Sequence, residues 1–180
     1  HSDAMLGLVA CTKETYQTVK DCSRNQGISV GPDTCYLGLR GLRTMGLRME
    51  AQYDNAKKIA AWLHNQQVIK EVFYPPVSFS KFHDNWSKTF LGGGSLMSMV
   101  LDDTYSTSAL AAFLDDMDLF GMGYSYGGYE SLLTPCTLQK QRISDTDDFD
   151  QTMLRMYIGL EDINDLIADL DSGFKRLVNH

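Results

Sequence analysis

The sequence predicts an α/β or α+β layered fold, on three observations. Short apolar runs of strand length alternate with stretches of helical spacing, glycine and proline punctuate the junctions between them, and no internal repeat or low-complexity linker interrupts the order. A chain of 180 residues that is 43% hydrophobic and 22% charged has enough apolar material for a packed core.

Met5 to Cys11 (MLGLVAC) is a short apolar run bounded by Thr12, which suits a buried strand, and Lys13 to Gln26 follows with Tyr16, Val19 and Cys22 at helical spacing. Gly27, Gly31 and Pro32 break that pattern, and Pro32-Asp33 suits the first turn of another helix. From Asp33 to about Asn65 apolar positions keep near-helical spacing through Leu37, Leu42, Met45, Met49, Tyr53, Ala56, Ile59, Ala60 and Leu63. Such a helix would be about 45 to 50 Å long. Its glycines, Gly38, Gly41 and Gly46, suggest a kink or close packing, and a domain boundary is placed near Thr44. Val68 to Tyr74 reads as a strand stopped by Pro75-Pro76, with a short helix around Lys81 to Trp86. Gly92 to Gly94 makes a turn, Ser95 to Leu101 a strand, and Ser106 to Asp115 a helix. Leu119 to Tyr124 and Ser131 to Leu133 read as short strands, Lys140 to Asp150 as a polar loop, and Met153 to Ile158 as a strand with an arginine in its middle. Glu161 to Val178 closes the chain as an amphipathic helix, acidic in its first turn and carrying Lys175-Arg176 in its last.

Sixteen Lys and Arg against 23 Asp and Glu give a charge of −7, which repels phosphate backbones and anionic membrane surfaces. Neither nucleic acid nor a membrane is an expected partner: the apolar runs are too short to span a bilayer, and no signal segment opens the chain. Cys11, Cys22, Cys35 and Cys136 stand singly, as do His1, His64, His83 and His180, so reduced thiols and no metal site are expected.

Tyr124 to Ser131 (YSYGGYES) gathers three aromatics, two hydroxyls and two adjacent glycines after an apolar run. Such a segment either lines a pocket, with aromatic walls and backbone close to a ligand, or is an ordinary connection with partly buried tyrosines. Arg155 shares a strand face with Met153 and Tyr157. An arginine there needs a partner, and its fork matches a carboxylate, whether an internal Asp or Glu or an anionic substrate group. From pattern alone the internal pair is favoured. Asp3, Tyr36 and Arg43 are weaker signals with many structural explanations. No G-x-G-x-x-G, phosphate-loop or G-x-S-x-G motif occurs.

Four stretches together resemble the cysteine/methionine-metabolism enzymes that depend on pyridoxal 5′-phosphate (PLP). They are His1-Ser2-Asp3, Gly31 to Met49 (GPDTCYLGLRGLRTMGLRM), Tyr124 to Leu132 (YSYGGYESL) and Leu154 to Asp171 (LRMYIGLEDINDLIADLD). The resemblance implies the C-terminal portion of a fold-type I, aspartate-aminotransferase-like enzyme. Residues 1–44 would end the large PLP-binding domain, and residues 45–180 would form a small α/β domain with a mostly antiparallel sheet. The lysine that carries the cofactor would lie upstream of His1, with the main cofactor-binding residues, so no catalytic residue is expected here and the 180 residues alone are expected to be inactive. In substrate binding the resemblance gives Arg155 the α-carboxylate, sets Ser125, Tyr124 and Tyr126 along the substrate, and puts Tyr36 toward the cofactor. It thereby reverses the preference for an internal partner of Arg155. The aromatic Tyr124 to Tyr129 segment is similar to that of the bacterial β-lyase branch, which usually carries tryptophan where Tyr126 stands; the γ-enzymes usually have Ser-Leu-Gly-Gly. The implied activity is a carbon–sulfur lyase of methionine biosynthesis that splits L-cystathionine by β-elimination into homocysteine, pyruvate and ammonia. γ-Replacement or γ-elimination on the same scaffold is the rival chemistry, and a non-catalytic folding or assembly module the rival of another class. A cytoplasmic homotetramer is the expected complete protein.

Overall fold

Four segments with alternating or continuous apolar character meet in one antiparallel sheet. The computed structural model describes residues 1–136 and 152–180, so the polar stretch expected at 140–150 lies outside the described residues. The chain divides into two compact units, His1–Gly46 and Leu47–His180.

The first unit is built on helices α1 (Lys13–Asn25) and α2 (Pro32–Arg43). Thr12 occupies the N-cap position of α1, and its side chain holds the Glu14 carboxyl below its usual range. At the other end the N–H groups of Gly27 and Ile28 donate back to the carbonyls of Arg24 and Ser23. That reversal needs a left-handed residue, and Gly27 supplies it at φ +67°. Helix α2 starts on Pro32, carries Asp33 in its first turn and has Arg40 and Arg43 in its last, so its charges oppose its dipole. The apolar run Met5 to Cys11 is not a strand: it pairs with no strand among the described residues, its Leu6 side chain lies beside Gly38 of α2, and Met5, Leu8 and Val9 are 97%, 89% and 72% exposed. The continuous helix expected from Asp33 to Asn65 is two helices. Thr44 (φ −114°, ψ 7°) leaves helical geometry and its N–H bonds to Gly41 three residues back, which closes α2 before α3 (Met45–His64) begins.

In the second unit the strands β1 (Ile69–Phe73), β2 (Leu96–Leu101), β3 (Leu132–Cys136) and β4 (Met153–Tyr157) lie in the order β1-β2-β4-β3, each pair antiparallel. The registers Met97↔Met156 and Leu133↔Met156 put the apolar members of three strands on one face. Against them pack Ala56, Ile59, Ala60 and Leu63 of α3, Ala109 and Phe113 of α5 (Thr107–Leu114), and Leu166, Leu170, Phe174 and Leu177 of α6 (Ile163–Val178). Phe174 joins the helices, stacked on Trp62 at 5.8 Å and tilted against Phe113 at 5.3 Å. Polar side chains fix the ends. Ser106 caps α5, Asp162 caps α6, and Arg176 donates to the carbonyls of Ala112, Phe113 and Asp116 at the C-terminus of α5. The short helix expected near Lys81 forms slightly later as α4 (His83–Thr89).

No strand forms at Leu119 to Tyr124. The N–H groups of Asp118, Leu119 and Phe120 are bound instead by the Asp169 carboxylate of α6, at 3.0, 2.8 and 3.3 Å. Only Gly121 makes a bridge, to Leu132. The strand expected at Ser131 to Leu133 runs from Leu132 to Cys136.

Candidate functional site

On the sheet face away from the helices, register aligns Phe73, Ser98, Arg155 and Thr134 across the four strands. Arg155 is thus a half-buried cation in the central strand β4, between two hydroxyl-bearing residues. Its guanidinium reaches the loop before β3, where Nη1 and Nη2 donate to the Ser125 carbonyl at 3.4 and 3.5 Å, both near the long limit for such bonds. The Tyr124 ring lies 5.9 Å from the guanidinium carbon, and the Tyr124 hydroxyl donates to the Pro135 carbonyl at 3.2 Å. Among the described residues no carboxylate pairs with Arg155. A guanidinium carries five N–H donors, and the bonds to the Ser125 carbonyl engage two of its nitrogens.

The structure brings Arg155, Ser125 and Tyr124 together. Tyr126, 73% exposed, follows Ser125 on the same loop, while Tyr36 lies on α2 in the first unit, 64% exposed. Near the arginine, burial raises the Cys136 thiol above its ordinary pKa, with the Arg155 charge partly opposing the rise.

The loop itself is tied down in part by residues that the sequence did not single out, Gln52 and Glu161 among them. Gly127 turns it at φ +81°. The next carbonyl, that of Gly128, accepts from Gln52 Nε2 at 2.6 Å and from the Tyr157 hydroxyl at 3.0 Å. Further on, the Glu161 carboxylate accepts from the Ser131 N–H at 2.6 Å and the Ser131 hydroxyl at 2.8 Å, and the Gly159 N–H donates to that hydroxyl at 2.9 Å. A Cβ on Gly159 would run into the Tyr129 carbonyl, so this position requires glycine. Gln52 is a polar residue in the apolar stripe of α3, and its sequence position alone does not point to a partner 76 residues away.

The chain is similar to known proteins over nearly its whole length. The profile of the family described as Cys/Met metabolism PLP-dependent enzyme matches residues 1–175. The cystathionine β-lyase MetC of Escherichia coli is 40% identical over 99% of this chain and 46% of its own length. An L-alanine/L-glutamate racemase of Wolbachia pipientis is 35% identical over 98% of this chain and 44% of its own. Among solved structures, cystathionine γ-synthase from Xanthomonas oryzae in complex with aminoacrylate and cysteine superposes with a TM-score of 0.80 at 29% identity, covering 95% of this chain and 45% of that one. The chain therefore spans about half the length of the relatives it matches.

Proposed function

Because the chain belongs to the Cys/Met metabolism PLP-dependent enzymes, we propose that it is the substrate-carboxylate-binding part of a carbon–sulfur lyase that cleaves L-cystathionine by β-elimination. The family's fold is the fold-type I PLP enzyme, and its cofactor is pyridoxal 5′-phosphate. The residues gathered around Arg155 do not fit the cofactor's covalent anchor. No lysine is among them, and Lys57, Lys81 and Lys175 pair elsewhere with Asp54, Glu71 and Asp171. They fit a small anion instead. Bound PLP supplies an electron sink for charge that develops at the substrate α-carbon.

The observation that carries the reading is the Arg155 guanidinium, set in a central strand, walled by Tyr124 and free of a carboxylate partner among the described residues. A planar fork of this kind takes an α-carboxylate in two parallel hydrogen bonds, which fixes both distance and rotation of the amino acid. Orientation of that kind lowers the entropic part of the barrier. Ser125 and Tyr126 would border the side chain, and Tyr36 the cofactor side. Residues 1–44 are assigned to the end of the PLP-binding domain and residues 45–180 to the small domain. A cytoplasmic homotetramer in methionine biosynthesis completes the proposal. No helix of the described residues is long and apolar enough to cross a membrane.

β-Elimination is preferred over γ-chemistry for the aromatic Tyr124-Ser125-Tyr126 segment and for the similarity to a β-lyase at 40% identity. Product analysis tests it. A full-length protein containing this sequence, loaded with PLP and given L-cystathionine, is expected to release homocysteine and pyruvate. Release of cysteine and 2-oxobutyrate would replace the reading with γ-elimination, and release of neither would reject lyase activity on this substrate.

A further inference from the structure

The Gly128 carbonyl receives two donors from two different elements, Gln52 Nε2 on α3 at 2.6 Å and the Tyr157 hydroxyl on β4 at 3.0 Å. Both donors are buried, Gln52 to 5% exposure and Tyr157 to 4%. Gly128 sits three residues after Ser125, whose carbonyl meets Arg155, and directly after Gly127, which turns the chain at φ +81°. Tyr157 is two residues from Arg155 on the same strand and the same face.

We propose that Gln52 and Tyr157 are positioning residues that act as a paired clamp on the Gly128 carbonyl, setting the height of the Tyr124–Ser125 segment over Arg155 and thereby the width of the slot that receives the substrate carboxylate. This rests on the carboxylate-binding reading of Arg155. The physical argument concerns redundancy. A carbonyl oxygen has two lone pairs, and either donor alone keeps it satisfied and in place. Removing both leaves a buried acceptor without a partner beside a turn whose glycines offer no side-chain packing to hold it. The Ser131–Glu161 bonds anchor the far end of the loop, and at its near end an exposed bond from the Tyr124 hydroxyl reaches the Pro135 carbonyl at 3.2 Å.

The test uses a full-length, PLP-loaded protein carrying this sequence and measures KM and kcat for L-cystathionine separately. Gln52→Met and Tyr157→Phe, each of which keeps volume and removes one donor, are expected to raise KM by no more than about 3-fold each. The double variant is expected to raise it by about 30-fold or more, above the product of the single effects, with kcat changed by less than about 3-fold and cofactor absorbance retained. If Gln52→Met/Tyr157→Phe does not fold, Gln52→Asn/Tyr157→Phe, which withdraws the donor by one methylene, is expected to show the same excess over its single effects. Arg155→Ala in the same series separates the two ideas. A large rise in KM for Arg155→Ala, with double-variant effects no greater than the product of the singles, overturns the clamp alone. An unchanged KM for Arg155→Ala overturns the carboxylate site and the clamp with it.

Discussion

Tyr124 meets Arg155 through its ring and reaches Pro135 through its hydroxyl, and the two contacts have different worth. An exposed hydroxyl bond at 3.2 Å is readily replaced by water, whereas a ring beside a guanidinium contributes about 0.5 to 1 kcal/mol. In the full-length protein, Tyr124→Phe is expected to leave KM for cystathionine within about 2-fold, and Tyr124→Ala to raise it by about 3- to 5-fold. Steady-state kinetics on the two variants checks the pair; equal effects would mean that the hydroxyl, not the ring, is what matters. A pH effect belongs to another tyrosine. Burial, helped by its hydrogen bond to Asp102, pushes the Tyr105 phenol up to about 12. Since this lies above the ordinary value of 10, the stabilisation it gives is complete below pH 10 and is lost as pH rises toward 12. Absorbance titration at alkaline pH should show a late-ionising phenol that Tyr105→Phe removes. Of the candidate-site residues, Arg155 and Tyr124 could be singled out in the sequence because an arginine within an apolar strand and a tyrosine-rich glycine turn are local anomalies. Gln52 and Glu161 were not, because their partners lie 76 and 30 residues away in sequence and nothing local announces such pairs.

Asp169 shows how one side chain can replace a strand partner. The segment from Leu119 has the apolar run of a strand, yet the Asp169 carboxylate takes three successive N–H groups that a neighbouring strand would otherwise bind. Asp169→Ala would strand those donors in a largely buried place and is expected to destabilise the second unit by about 3 kcal/mol or more, read by denaturant unfolding. A loss below about 1 kcal/mol would show that water substitutes for the carboxylate. At the α5–α6 contact, Gly173 is a second check. A Cβ there would lie 2.6 Å from the Phe113 ring, so Gly173→Ala should lower stability by about 1 to 3 kcal/mol although alanine is the better helix former. The closing helix, β2 and β4 were plain in the sequence because their apolar spacing matches the face they bury. Where the reading erred, as at Met5 to Cys11 and Leu119 to Tyr124, the apolar pattern was present but the pairing was not, and pairing is what sequence periodicity does not encode.

At the scale of the whole chain the two units differ in how they are held. Every buried residue of the described chain lies beyond Gly46, most of them in the cluster of α3, α5, α6 and the sheet, while no residue of His1–Gly46 is buried. Hydrogen exchange on the 180-residue chain should therefore find the slowest amides in β2, β4 and α6, with α1 and α2 exchanging faster. Equal protection in both units would contradict this division of the core. The chain covers less than half the length of its relatives, and the proposed carboxylate slot is the part of the proposed chemistry that its own residues would carry. The fold-level resemblance was legible because four separated motifs keep one order over nearly the whole sequence, whereas no motif spacing could show that Arg155 has no carboxylate partner among the described residues. The most direct measurement is kcat/KM for L-cystathionine in full-length, PLP-loaded protein, comparing Arg155→Ala and Arg155→Lys with the parent. Loss of about 100-fold or more in the alanine variant, with only partial recovery by lysine, is the expected result, since a point charge cannot reproduce a two-point fork. An Arg155→Ala protein with unchanged kcat/KM would contradict the assignment of this arginine to the substrate carboxylate.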